Sequence, residues 1–104
     1  MAIEILAVCG HGVGSGVLAR MTVERALRRN KIPEHDYHVD IADISTAKRS
    51  EIDIYVTTSE FGKSIEQWKK DRQRIVLVKN LFSDKEMEKA LMPVYEEVAA
   101  SKKM

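Results

Sequence analysis

The run Val8-Cys9-Gly10-His11-Gly12-Val13-Gly14-Ser15-Gly16 holds the chain's only cysteine and four of its five glycines. A thiol attacks only as its thiolate. An ordinary thiol pKa lies near 8.5, and bringing it to about 7 takes roughly 2 kcal/mol of selective thiolate stabilisation. A helix N-terminus supplies about 0.3–1 kcal/mol, and up to ~2 in favourable geometry. Loop amides aimed at the sulfur can supply the remainder. Glycines let a backbone approach an anion closely and adopt positive φ. No lysine or arginine falls between Cys9 and Ala19, so the stretch must work mainly with dipoles. Cys9 is therefore the candidate nucleophile. Gly10, His11, Gly12, Val13, Gly14, Ser15 and Gly16 form the candidate phosphate-binding loop. Ser15 suits either the cap of the following helix or a hydroxyl ligand. His11 suits either a stabiliser of the thiolate or phosphoryl group, or an exposed loop residue.

Several other phosphate and thiol motifs do not fit. Val17 occupies the place of the third glycine of a dinucleotide fingerprint, and the Gly-Lys-Ser/Thr of a nucleotide-binding loop is missing. A Cys-x5-Arg phosphatase loop would need arginine where Ser15 stands, and without a guanidinium a phosphomonoester loses its bidentate clamp. One cysteine excludes both a Cys-x-x-Cys redox pair and an internal disulfide. Cys9 and His11 are close in sequence, but no further Cys or His forms a tetrahedral set with them, and neither a metal nor an organic cofactor is implied. His35 and His38 read as surface residues.

An α/β chain must hold that stretch in place. Ile3 to Val8 is almost continuously apolar, as in a central strand buried on both faces. A helix is expected from about Val17 to Asn30, with Ala19, Val23, Ala26 and Leu27 on one stripe and Arg20, Glu24 and Arg28 on another. Tyr37 to Ile41 alternates polar and apolar, as in a half-exposed strand at a sheet edge. A helical turn is expected between Asp43 and Glu51, and a third strand over Ile52 to Val56. Thr57, Thr58 and Ser59 follow it, either as strand-end and capping residues or as a second phosphate-binding loop. A helix from about Glu60 to Lys70 carries Phe61, Ile65 and Trp68 on one side. Arg74 to Val78 reads as a fourth strand. Ser83 and Glu86 have capping-box spacing ahead of a last helix. Pro93 predicts a kink or two segments there, and Ser101 to Met104 a frayed end.

Alternating strands and helices argue a parallel α/β sandwich with right-handed crossovers. Ligands of such sheets sit beyond the carboxyl ends of the strands, at the switch point. If the first and third strands are neighbours, the Cys9 and Thr57 segments face each other there. The 104 residues suit a single domain over 1–104. Seventeen basic and 16 acidic side chains leave a net charge of +1, which gives no nucleic-acid footprint. No apolar run approaches the ~20 residues of a membrane span. No secretory leader is visible at the N-terminus, and the expected compartment is the reducing cytosol.

Cys-Gly-x-Gly-x-Gly-Ser at Cys9 to Ser15, followed by Met21 and Val23-Glu24 in a helix, resembles the IIB components of the bacterial sugar phosphotransferase system. The ascorbate and galactitol types are the group it looks most like. The resemblance implies a three-layer sandwich around a four-stranded parallel sheet of order 2-1-3-4, with helices on both faces. It implies that Cys9 takes a phosphoryl group from a phosphohistidine on a IIA protein. Cys9 would then pass the group to a sugar held by a membrane IIC permease, with which this chain would associate peripherally. Gly16 stands where ascorbate-type members often carry a second hydroxyl, and His11 where asparagine is common. Two other functions remain open at this point: a cysteine-dependent phosphatase or arsenate-reductase-like enzyme, and a non-enzymatic regulatory domain of the same fold. A phosphatase needs a clamp, a general acid and an ordered water to hydrolyse its phosphocysteine. A carrier must instead keep that intermediate until its acceptor docks.

Overall fold

Five of the six residues of the first strand, β1 (Ile3–Val8), are buried, with only Glu4 half-exposed. The computed structural model describes residues 2–9 and 13–102. Ile3, Ile5 and Ala7 point into the larger core cluster, and Leu6 and Val8 into the smaller one on the opposite face. That two-sided burial explains the strand's unbroken apolarity. The remaining elements are α1 (Val13–Arg29), β2 (Tyr37–Ala42), β3 (Ile54–Thr57), α2 (Ser59–Trp68), β4 (Arg74–Leu77) and α3 (Asp84–Ser101). The sheet has the expected order β2-β1-β3-β4, and all three pairings are parallel. β2 is an edge strand, as its alternation predicts. Ala19, Val23, Ala26 and Leu27 of α1, with Met87, Leu91, Met92, Tyr95 and Val98 of α3, cover one face. Ile65, Phe61 and Trp68 of α2, with Ala47 and Ile52, cover the other. Trp68 meets Tyr55 edge to face, with ring centroids 5.6 Å apart.

α1 starts four residues before the expected Val17, and Ser15 therefore lies within its first turn and is not its N-cap. Glycine is a poor helix former, so packing decides this start. A Cβ built on Gly16 would stand 3.0 Å from Ile41 Cδ1. The small residue lets the start of α1 close down on β2. At the other end Ile32 N–H reaches back to the Leu27 carbonyl at 3.1 Å, a Schellman closure. That closure puts Lys31 at φ 61°, a conformation that favours glycine.

The expected turn after β2 is a 3-10 turn at Ile44–Thr46, and the Asp43 side chain accepts from Ser45 N–H and Thr46 N–H. β3 begins at Ile54 and not at Ile52, because Asp53 is engaged at the foot of the sheet. Its carboxylate accepts Glu4 N–H at 2.8 Å and pairs with Arg72 at 3.0 Å and Lys102 at 2.9 Å. Lys102 thereby ties down a C-terminus that the sequence suggests is frayed; residues 103 and 104 lie outside the described residues. Ser83 accepts Glu86 N–H at 3.3 Å, as the capping-box spacing predicts. Glu86 does not return the bond to Ser83. Its carboxylate accepts the N–H groups of Lys79 and Asn80 at 2.6 and 3.0 Å. α3 runs through Pro93 as one helix, so of the two expected outcomes, a kink or two segments, the second does not occur. Pro93 and Lys89, whose carbonyl loses a partner there, are both exposed, while Leu91, Met92 and Tyr95 are buried on the sheet. Water can serve the carbonyl while packing holds the helix.

Two stability measurements check this packing. Lys31→Gly relieves the left-handed strain and is expected to add about 0.5–1 kcal/mol in urea unfolding; a loss would contradict the closure. Tyr95 is buried with its hydroxyl 3.5 Å from the Asp36 carbonyl. Burial first, then Asp36 and Tyr37, push its phenol from 10.0 up to about 12. The folded chain holds this proton more tightly than the unfolded chain. The resulting stability is whole below pH 10 and is lost as pH climbs through about 12. The loss is at most about 2–3 kcal/mol, at 1.36 kcal/mol per pKa unit. Unfolding followed from about pH 9 to about pH 11 should show the decline, and Tyr95→Phe should flatten it.

Candidate active site

β1, β2 and β3 end together at one edge of the sheet, and Cys9 is the first residue past the end of β1. The chain turns to β2 on one side of β1 and to β3 on the other, so this edge is the switch point of the topology. Cys9 is half-buried, free, and packed against the larger core cluster. Its N–H donates to the Ala42 carbonyl at 3.0 Å, continuing the β1–β2 ladder past its last pair, Val8 with Ala42. On the other side the ladder stops one step earlier, at Ala7 with Val56. There the Thr57 hydroxyl donates to the Val8 carbonyl at 2.9 Å.

The expected phosphate-binding stretch divides in two. Gly10, His11 and Gly12 lie outside the described residues, and with them any role of His11. Val13, Gly14, Ser15 and Gly16 form the first turn of α1 and not a loop. That turn contains no acidic residue, whereas α2 has Glu60 in its first turn and α3 has Asp84 and Glu86. Acidic side chains normally offset the partial positive charge of a helix start. At α1 no acidic side chain of the first turn does so, and Arg28 and Arg29 complement the opposite end of the same helix.

The second candidate loop is brought to the same edge, as the β1–β3 neighbourhood requires. Thr57 is fully buried. Thr58 caps α2 without a side-chain hydrogen bond, and Ser59 is its exposed first residue. His35 and His38 stand at the surface, beside Asp36 at 3.3 Å and Glu4 at 2.9 Å. Arg20 pairs with Glu24 at 3.6 Å on the solvated face of α1.

Two features escape a reading of motifs. One is the pair of carbonyls, of Val8 and Ala42, that locate Cys9; backbone groups leave no mark in a sequence. The other is an apolar rim. Val17, Leu18 and Met21, early in α1, are 43%, 54% and 43% exposed. Their signal is visible in the sequence, because they lie off the stripe formed by Ala19, Val23, Ala26 and Leu27.

The fold is that of a small parallel α/β domain, with a half-buried cysteine at the switch point. A family model described as "PTS system, Lactose/Cellobiose specific IIB subunit" matches residues 4–92, and the chain belongs to that family. The fold is similar to that of the lactose-specific IIB component domain of the phosphoenolpyruvate:carbohydrate phosphotransferase system from Streptococcus pneumoniae. The TM-score is 0.55 at 13% identity, over 92% of this chain and 97% of that one. No curated protein matches the sequence. The ascorbate and galactitol grouping expected from the cysteine motif is corrected accordingly: the family found is the lactose/cellobiose one. Among the described residues, no helix is long and apolar enough to cross a membrane.

Proposed function

We propose that this chain is the phosphocysteine carrier of a sugar phosphotransferase system. The observation that carries the reading is the placement of Cys9. It stands at the switch point, four residues ahead of the start of a helix whose first turn has no carboxylate. The Cys9 thiolate attacks the phosphorus of an N-phosphohistidine on a IIA protein, in line with the leaving nitrogen. The S–P bond forms as the P–N bond breaks, and the histidine leaves. A sugar hydroxyl then attacks the same phosphorus in the membrane IIC partner. The S–P bond breaks, the thiolate is regenerated and the hydroxyl proton passes to the acceptor's base or to water. The amides of residues 10 to 16 hold the equatorial oxygens, which is electrostatic work of the kind phosphoryl transfer requires. Val17, Leu18 and Met21 give the IIA protein an apolar face to dock on, on the first turns of the helix that follows Cys9. The chain works on the cytoplasmic side, peripheral to the permease.

The absence of arginine at position 15 and the provision of dipoles without a cation favour a carrier over a hydrolase. The test is intact mass after incubation with phosphoenolpyruvate, the general phosphotransferase proteins and one IIA at a time. Lactose/cellobiose-, ascorbate- and galactitol-type IIA proteins form the panel. The expected result is a gain of about 80 Da, one phosphoryl group on the nucleophile, abolished by Cys9→Ser. The productive IIA names the sugar class. Steady hydrolysis of an aryl phosphate without a stable adduct would point instead to the phosphatase reading. Full function of Cys9→Ser would point to the regulatory one.

A further inference from the structure

We infer that Thr57 is a positioning residue for Cys9, acting through the peptide that joins Val8 to Cys9. Both polar groups of that peptide are bound, and by different strands. Its carbonyl, on Val8, accepts the Thr57 hydroxyl at 2.9 Å, and its N–H, on Cys9, donates to the Ala42 carbonyl at 3.0 Å. A peptide unit is planar and stiff, so bonds to both its ends fix the Cα of Cys9 and the direction in which the thiol leaves the backbone. The two anchors differ in kind. The Ala42 bond is an ordinary ladder bond that any residue at position 9 except proline can make. The Thr57 bond is made by a side chain where the β1–β3 ladder has already ended.

This arrangement reconciles two demands on the switch point. β1 and β3 must part beyond Ala7 and Val56 to open a crevice, yet the Val8 carbonyl in that gap is buried and needs a donor. A hydroxyl reaching across from β3 meets both. Thr57 is itself held from behind, since its own carbonyl accepts Val78 N–H at 3.0 Å and it pairs with Leu77 of β4. The chain of bonds therefore runs from β4 through Thr57 to the cysteine. A fully buried Thr57 whose proton is committed to Val8 supports the site from beneath and does not touch the phosphoryl group. That distinguishes it from Thr58 and Ser59, which lie nearer the surface.

The inference rests on the phosphocysteine reading, and its test separates the two. Thr57→Val keeps the shape and removes the hydroxyl, while Thr57→Ser keeps the hydroxyl. Val76→Ala serves as a control that loosens the core through β4 without touching the Val8–Cys9 peptide. In the full chain, amide exchange of Cys9 should speed up at least about tenfold in Thr57→Val as its anchored peptide loosens, with little change in Thr57→Ser or Val76→Ala. The maximal rate of phosphoryl acceptance from IIA should fall about ten- to a hundredfold, as expected for a misplaced reacting atom. The IIA concentration giving half that rate should stay unchanged, because the docking face is intact. Thr57→Ser should restore the rate to within about twofold. Thr57→Ala, which leaves room for a water, takes the place of Thr57→Val if the latter does not fold, with the same expectation. A folded variant lacking the hydroxyl with wild-type exchange and rate overturns the inference. So does a Thr57→Ser as impaired as Thr57→Val, or a Val76→Ala that slows transfer equally. If the unaltered chain accepts no phosphoryl group, the carrier reading fails, and the exchange experiment still decides whether Thr57 anchors the peptide.

Discussion

β1 is bonded along both edges and packed on both faces, and everything else in the molecule is arranged about that constraint. Two edges require β2 and β3 on either side, and two apolar faces require helices above and below. The strand's last residue must then hand the chain to α1 at the one edge where the sheet's connections diverge. Cys9 sits at that handover. The thiol thus follows directly on the strand that is paired along both edges and buried on both faces.

The two ends of the sheet solve opposite problems. At the foot, the nearly buried Asp53 carboxylate is satisfied by a backbone N–H, by Arg72 and by Lys102, which closes the C-terminus onto β1 and β3. Such a charge would be costly if left alone. At the opposite end, the first turn of α1 has neither carboxylates nor cations, and among the described residues the hydrogen bonds of the Val8–Cys9 peptide are between neutral groups.

Much of this was legible in the residues. The apolar run of β1, the alternation of β2 and the stripe of α1 each report local burial, and burial follows side-chain type. Cys9 stood out because a lone thiol among alternate glycines has few structural uses. The start of α1 is not legible in the sequence, because Gly14 and Gly16 look like loop residues. Gly16 is small for the sake of Ile41, 25 residues further on, and no local pattern records that. Pro93 does not divide α3, because the exposed side of a packed helix tolerates a missing hydrogen bond. Thr57 was noticed as one of three hydroxyls, but its task depends on the β1–β3 ladder ending one residue early. The choice between lactose/cellobiose and ascorbate or galactitol groups was not readable from nine residues around a shared chemistry.

The account stands or falls on the atom that carries the phosphorus. Phosphorus NMR of the chain after phosphorylation by a productive IIA addresses it directly. A phosphoryl group on Cys9 gives a single resonance well downfield of any nitrogen- or oxygen-bound species, and alkylating the thiol beforehand prevents its appearance. A resonance in the nitrogen-bound region, or one that survives alkylation of Cys9, would place the phosphoryl group on another residue and contradict the role assigned to the cysteine.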